Sequence, residues 1–370
     1  MTLLRTLCRC TERYCSGCFR GGQEISPNAE RLLNYLADCY GKSIISGQMD
    51  AAWTINARID MIARVHADTG KYPALKGFDY IQLPYDRHPF HGGREQTAEA
   101  IEWWEGKNNG VSLLADRPEI HGIIAFCWHW RVRQKKVFYT DKTDFRIPWK
   151  DGALDTECKA FEAMLKDLEL LAAQLQILKD RDIPVLWRPL HEAAGGWFWW
   201  GASGPDPCIA LWEFMHGYLT DTCKLDNLIW VWNGQDAAWF PSPGTVHIVG
   251  YDVYPDADTP QSARDYSSQK GKFDETLAMV PEIDRGTVRI VALSENGAIP
   301  DPDECRKDGA MWSWFMTWND CRGSSLDQNC KDNFWTGGYH NTEEHKLKVY
   351  NHDLVVTLDK LPDLTEYRKG

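Results

Sequence analysis

The chain has 370 residues, 43% of them hydrophobic, with 41 basic against 53 acidic side chains and a net charge of −12. An acidic balance of this size argues against a nucleic-acid partner, whose phosphates need a basic face, and equally against an anionic membrane surface. No apolar run approaches the roughly 20 residues of a spanning helix, which leaves a neutral small molecule or neutral polymer as the natural partner.

The chain opens on a cysteine-rich stretch, residues 1–25, that fits no βα unit and reads as an extension ahead of a catalytic domain at 26–370. Twelve cysteines, an even number, suggest disulfides in an oxidising compartment. Cys8, Cys10, Cys15 and Cys18 offer zinc ligands as an alternative, although their C-x-C-x4-C-x2-C spacing is no standard finger and no histidine lies near. Cys321 and Cys330 flank a polar Gly/Ser stretch and form the favoured local pair. MTLLRTLCRC has no apolar core of a signal peptide, so a secreted protein would have lost its leader. A monomer that needs no cofactor or metal is expected.

Eight apolar, β-branched and aromatic runs follow, at 42–48, 74–80, 121–130, 183–192, 228–233, 247–254, 288–296 and 311–319. Most lead through a Gly/Asn/Asp/Pro break into a helical pattern; 29–40 and 158–180 place apolar residues at i, i+3 and i+4. Near-continuous apolar strands alternating with amphipathic helices imply a parallel sheet covered by helices. Eight such units favour closure into a (β/α)8 TIM barrel over an open sheet. Residues 255–275 read as a long polar loop and 340–370 as a helical or irregular tail. The eighteen Trp are expected to divide about equally between core and exposed platforms of the kind that stack on sugar rings.

Active sites of such barrels lie at the C-terminal ends of the strands. Those ends carry Gln48, Asp79, His129, His191 with Glu192, Asn233, Asp252 with Tyr254, Glu295 and Trp318. Turn formers would suffice for stability; two glutamates closing apolar strands supply instead the paired carboxyls that glycosidic hydrolysis requires. The period of two along 183–192 turns Arg188 to the same side as Leu190 and Glu192. A buried Arg needs a carboxylate, with Glu295 as the plausible partner, and that contact favours the ionised form. Glu192, among Trp residues and beside His191, is expected to have a raised pKa suited to acid duty. Gly195-Gly196 presents Trp197, Phe198, Trp199 and Trp200, of which one or two should face a cleft.

The stretches SGQ (46–48), GFDY (77–80), WHW (128–130), WRPLHEAAGGWFWWG (187–201), VWNG (231–234), VGYDVYP (249–255), LSENG (293–297) and MTWND (316–320) resemble glycoside hydrolase family 26, in family order. Its members are mostly β-1,4-mannanases. The resemblance implies Glu192 as acid/base and Glu295 as nucleophile of a retaining, endo-acting hydrolase of β-mannan. It implies that His191 contacts the sugar 2-hydroxyl, that Tyr254 hydrogen-bonds the nucleophile and that Arg188 supports it. Trp318 would floor the −1 subsite, and His129 and Trp197 would line the cleft. A mixed-linkage glucanase or xylanase on the same frame, or a non-catalytic carbohydrate-binding barrel, are the alternatives. Asn319 departs from the Arg of some mannanases, and residues 1–25 have no counterpart in the family pattern.

Overall fold

A computed structural model describes residues 25–51, 60–83, 93–132, 137–255, 258–279, 290–320 and 330–368. Cys8, Cys10, Cys15 and Cys18 lie outside these, as does Cys321 and with it the expected pairing to Cys330.

All eight expected strands form: β1 Ile44–Met49, β2 Leu75–Asp79, β3 Ile123–Cys127, β4 Val185–Arg188, β5 Leu228–Trp232, β6 Ile248–Val253, β7 Val291–Asn296 and β8 Trp314–Thr317. Each pairs in parallel with the next, and β8 returns to β1 through Ile45–Trp314 and its neighbours, so the sheet closes into a barrel. Two runs overshoot their strands. The one expected to reach 192 stops at Arg188, because Pro189 has no N–H to give the ladder. The one expected to reach 130 stops at Cys127, where Trp128 and Trp130 stack on each other with centroids 4.2 Å apart.

Helices α1 Pro27–Cys39, α2 Met61–Thr69, α3 Gly93–Trp104, α4 Lys159–Lys179, α5 Pro205–His216, α6 Lys270–Met279, α7 Pro302–Asp308 and α8 Glu343–Tyr350 are the main helical elements. In α4, Phe161, Met164, Leu168, Leu171, Leu175 and Leu178 are buried, a stripe at helical spacing that covers the sheet. Each such leucine contributes about 1.5–3 kcal/mol by leaving water. The segment expected as a polar loop at 255–275 contains a turn of helix at Pro260–Ala263 and the start of α6. The tail supplies α8 and a short strand β9, Val355–Val356, that adds in parallel to the start of β1.

Thirteen of the seventeen Trp among the described residues are buried, so the equal division between core and platform does not hold. Burial is affordable where the indole N–H finds an acceptor, as in Trp103 to the Ile123 carbonyl (3.0 Å), Trp130 to Asp167 (3.0 Å) and Trp199 to the Trp130 carbonyl (2.8 Å). Seven cysteines fall among the described residues, and none is bonded to another. The mostly paired set expected from the count is therefore not found here. Cys127, Cys208 and Cys305 lie on separate elements, enclosed in the core, where a thiol behaves as a small apolar side chain. No helix among the described residues is long and apolar enough to cross a membrane.

Candidate active site

Glu295 reaches the barrel mouth through an irregularity in β7. Tyr251 pairs with Leu293, yet Asp252 pairs with Glu295, so Ser294 is an extra residue on the β7 side. Strict alternation would turn Glu295 outward with Leu293; the bulge re-aims it to the side of Asp252. Tyr251 marks the outer face, since Lys272 of α6 lies 5.3 Å from its ring. Gly250 accommodates the bulge, because a Cβ there would sit 1.9 Å from Ser294 Oγ.

Arg188 ends β4 in register with Cys127 and, one strand further, Asp79. Its Nη1 donates to Asp252 Oδ2 at 3.0 Å and its Nη2 to Glu295 Oε1. Asp252 also accepts from Asn233 Nδ2 at 2.9 Å. Tyr254 Oη donates to Glu295 Oε2 at 2.7 Å, and burial followed by the charge of Glu295 drives the Tyr254 pKa well up, so it remains a donor. The expected partnership of Arg188 with Glu295 is present. Asp252, a strand-end residue that the sequence reading gave no role, proves to be the second carboxylate on the same guanidinium.

Glu192 arrives by a different route from the one expected. Beyond Pro189 the backbone leaves the strand, and Leu190 and Glu192 adopt φ of 51° and 54°. Left-handed backbone costs a non-glycine residue about 1–3 kcal/mol and persists only where surroundings impose it. Here the Glu192 N–H donates to the Asn233 carbonyl at 2.7 Å and the Ala194 N–H to the Gly234 carbonyl at 3.1 Å. Trp197 Nε1 donates to Glu192 Oε2 at 2.9 Å. An indole only donates, so when Glu192 is protonated its hydrogen belongs on Oε1. Burial, then the charge of Glu295, pushes the Glu192 pKa up to about 7.

Glu192, Asp252 and Glu295 each present an oxygen within 4.8 Å of the others. A carboxylate oxygen of Asp79, the Cys127 Sγ and a His129 ring nitrogen likewise lie within 4.8 Å of one another. Both sets contain donor types that bind cations, but Arg188 already serves the first and the His129 ring nitrogen the second.

Trp197 is 43% exposed and covers Gly195, whereas Phe198, Trp199 and Trp200 are buried. One of the four consecutive aromatics is therefore exposed, and its indole N–H is bonded to Glu192. Trp318 is half-buried, with its ring edge-on to His129 at 5.9 Å. Gln48 Nε2 donates to the Thr317 and Trp318 carbonyls and steadies that end of β8. Asn319 is enclosed, and its Nδ2 donates to the Asp50 carbonyl at 2.8 Å, so it braces the fold rather than lining the cleft.

His191 is packed against His129. It is 1% exposed, its Nε2 meets His129 Nε2 at 3.2 Å, and its Nδ1 is enclosed without a partner among the described residues. Burial, then the neighbouring His129 and Arg188, drives its pKa well down, so it is neutral. His129, 8% exposed, is the histidine nearer the cleft.

A model of glycosyl hydrolase family 26 matches residues 23–360. The chain belongs to this family. A mannan endo-1,4-β-mannosidase of Thermothelomyces thermophilus is 34% identical over 345 residues, 90% of this chain and 61% of that protein. The chain spans about half the length of two further curated relatives. The crystal structure of a Podospora anserina β-(1,4)-mannanase superposes with a TM-score of 0.72 at 30% identity, covering 95% of this chain and 72% of that one. A β-mannanase from a symbiotic protist of the termite Reticulitermes speratus, solved with a gluco-manno-oligosaccharide, superposes at 0.73 and 30% identity, covering 92% and 96%. This family 26 chain shares with both solved structures the (β/α)8 barrel.

Proposed function

We propose that the protein is a retaining, endo-acting β-1,4-mannan hydrolase in which Glu192 is the acid/base and Glu295 the nucleophile. The observation that carries this reading is the pair itself: oxygens of Glu192 and Glu295 lie within 4.8 Å of each other, in unlike surroundings. Retaining enzymes hold the two carboxyls about 5–5.5 Å apart, whereas inverting ones leave about 6.5–9.5 Å for a water. Glu295 attacks the anomeric carbon while Glu192 passes its Oε1 proton to the leaving oxygen. Water then breaks the ester as Glu192 takes the water's proton, returning the original configuration. Arg188 and Tyr254, each on one oxygen of Glu295, orient the nucleophile. Trp197, beside the acid, is the surface for the departing sugar, and Trp318 lies under the cleaved one.

The mannan assignment draws on curated relatives named mannan endo-1,4-β-mannosidase and on the neutral partner that the charge balance favours. Initial rates on mannan, galactomannan, barley glucan and xylan test it. Mannan is expected to exceed barley glucan by at least about tenfold, a difference of roughly 1.4 kcal/mol in transition-state binding. Equal rates on glucan would overturn the mannan assignment and leave the carboxylate pair in place. A polymer too large to cross a membrane also places the enzyme outside the cell that makes it. Fractionation is expected to recover mannan-degrading activity in the medium, and confinement to the cell extract would contradict secretion.

A further inference from the structure

Asp79, His129 and His191 stand at or just past the ends of three successive strands, β2, β3 and β4. They form a chain that the two-carboxylate chemistry leaves unused. The Asp79 side chain is fully enclosed. Its Oδ1 accepts the His129 backbone N–H at 3.0 Å, and its Oδ2 contacts His129 Nδ1 at 2.6 Å. A carboxylate only accepts, so this grip requires the hydrogen on Nδ1 and fixes both the ring and the segment carrying it. His129 Nε2 then faces His191 Nε2 at 3.2 Å, a contact that needs one hydrogen between two nitrogens. The His191 carbonyl accepts Trp200 Nε1 at 2.9 Å. Its chain neighbour is Glu192, held in left-handed backbone. Asp79 thus stands two hydrogen-bonded contacts away from the segment that presents the acid.

We propose that Asp79 is a positioning residue of the hydrolytic site: acting through His129, it sets the hydrogen shared with His191 and so holds His191 and the adjoining Glu192 in place. The proposal rests on the hydrolase reading of the carboxylate pair. Without the grip, His129 is free to rotate or to adopt the other tautomer, the nitrogen–nitrogen contact loses its defined hydrogen, and the 189–192 segment loses one of its restraints. The aromatic surfaces that hold sugar do not depend on it, so the loss falls on turnover rather than on binding.

The test is Asp79→Asn, which keeps the volume but has one oxygen for two donors. On the preferred polysaccharide, kcat is expected to fall by about 10²-fold, the scale of an ångström misplacement, with KM changed by no more than about threefold. Long-range proton–nitrogen spectra of the histidines supply a readout that mere loosening does not move. The wild type is expected to show His129 protonated on Nδ1, and the variant a share of the Nε2-protonated form. A variant with wild-type kcat overturns the proposal, as does a loss of kcat with the His129 spectrum unchanged. Should the variant fail to fold, the wild-type spectrum still decides, because His129 protonated on Nε2 alone is incompatible with the grip. A wild type inactive on every neutral polysaccharide is a separate failure, that of the hydrolase reading, and is told apart by the enzyme assayed.

Discussion

Glu295→Ala is expected to lose about 10⁴-fold or more in kcat on every substrate, on the scale seen when a catalytic nucleophile is removed. No covalent intermediate forms without that carboxylate; Tyr254 Oη loses its acceptor, and Arg188 keeps only Asp252. Glu192→Ala is expected to behave differently. Proton transfer contributes typically about 10²–10⁴-fold, but an aryl glycoside with a good leaving group needs little of it in the first step. The loss on such a substrate should be far smaller than on mannan, with the intermediate accumulating as a burst. The same assignment sets a pH limb: Glu192 must be protonated to act as acid, so kcat/KM on mannan falls as pH rises through about 7. Removing Glu295 takes away the charge that is the second cause of that elevation. Equal losses for both variants on the activated substrate would show that the two roles are wrongly divided.

Arg188→Ala should produce the largest stability effect of any single change at the site. The Arg188 side chain is 7% exposed and serves Asp252 and Glu295 together. Truncation leaves two enclosed carboxylates facing each other and Glu192 with no compensating cation, which costs roughly 3–5 kcal/mol when a buried pair is broken. Urea denaturation at neutral pH measures this directly. The sign with pH follows from the same argument. In the variant the orphaned carboxyls gain protons on folding, so the destabilisation is greatest at high pH and shrinks as pH falls and the carboxyls neutralise. Arg188→Lys is expected to recover only part of the stability and little of kcat, because a single ammonium cannot reproduce the fork between two carboxylates. A loss under about 1 kcal/mol, within the range of surface ion pairs, would mean that Arg188 is not the charge on which the site depends.

The barrel was legible in the sequence because its strands are enclosed on both faces and so read as eight continuous apolar runs, a pattern that survives without knowledge of any contact. The strand-end rule turned those runs into a short list of residues, and Glu192, Asp252, Tyr254 and Glu295 from that list do meet in one mouth, joined there by Arg188 and Trp197. Cysteine and tryptophan counts were poorer guides. Composition reports residue types without positions, and the fold buries thirteen Trp and separates the described thiols onto different elements.

What the sequence determined by itself is therefore the order of the strands, the presence of two carboxyls at their ends, and an inward Arg between them. Tertiary structure alone decided how each carboxyl is aimed. Period-two alternation would carry Glu192 inward on a continuing strand and Glu295 outward with Leu293. Pro189 and left-handed backbone redirect the first, and the bulge at Ser294 redirects the second. Nor does local pattern reveal that His191 is enclosed against His129, or that Asp79, 112 positions before it in the chain, governs that contact. Such pairings join residues on neighbouring strands. They exist only once the sheet has closed, because loop closure and register, not the identity of any one residue, bring them within hydrogen-bonding distance.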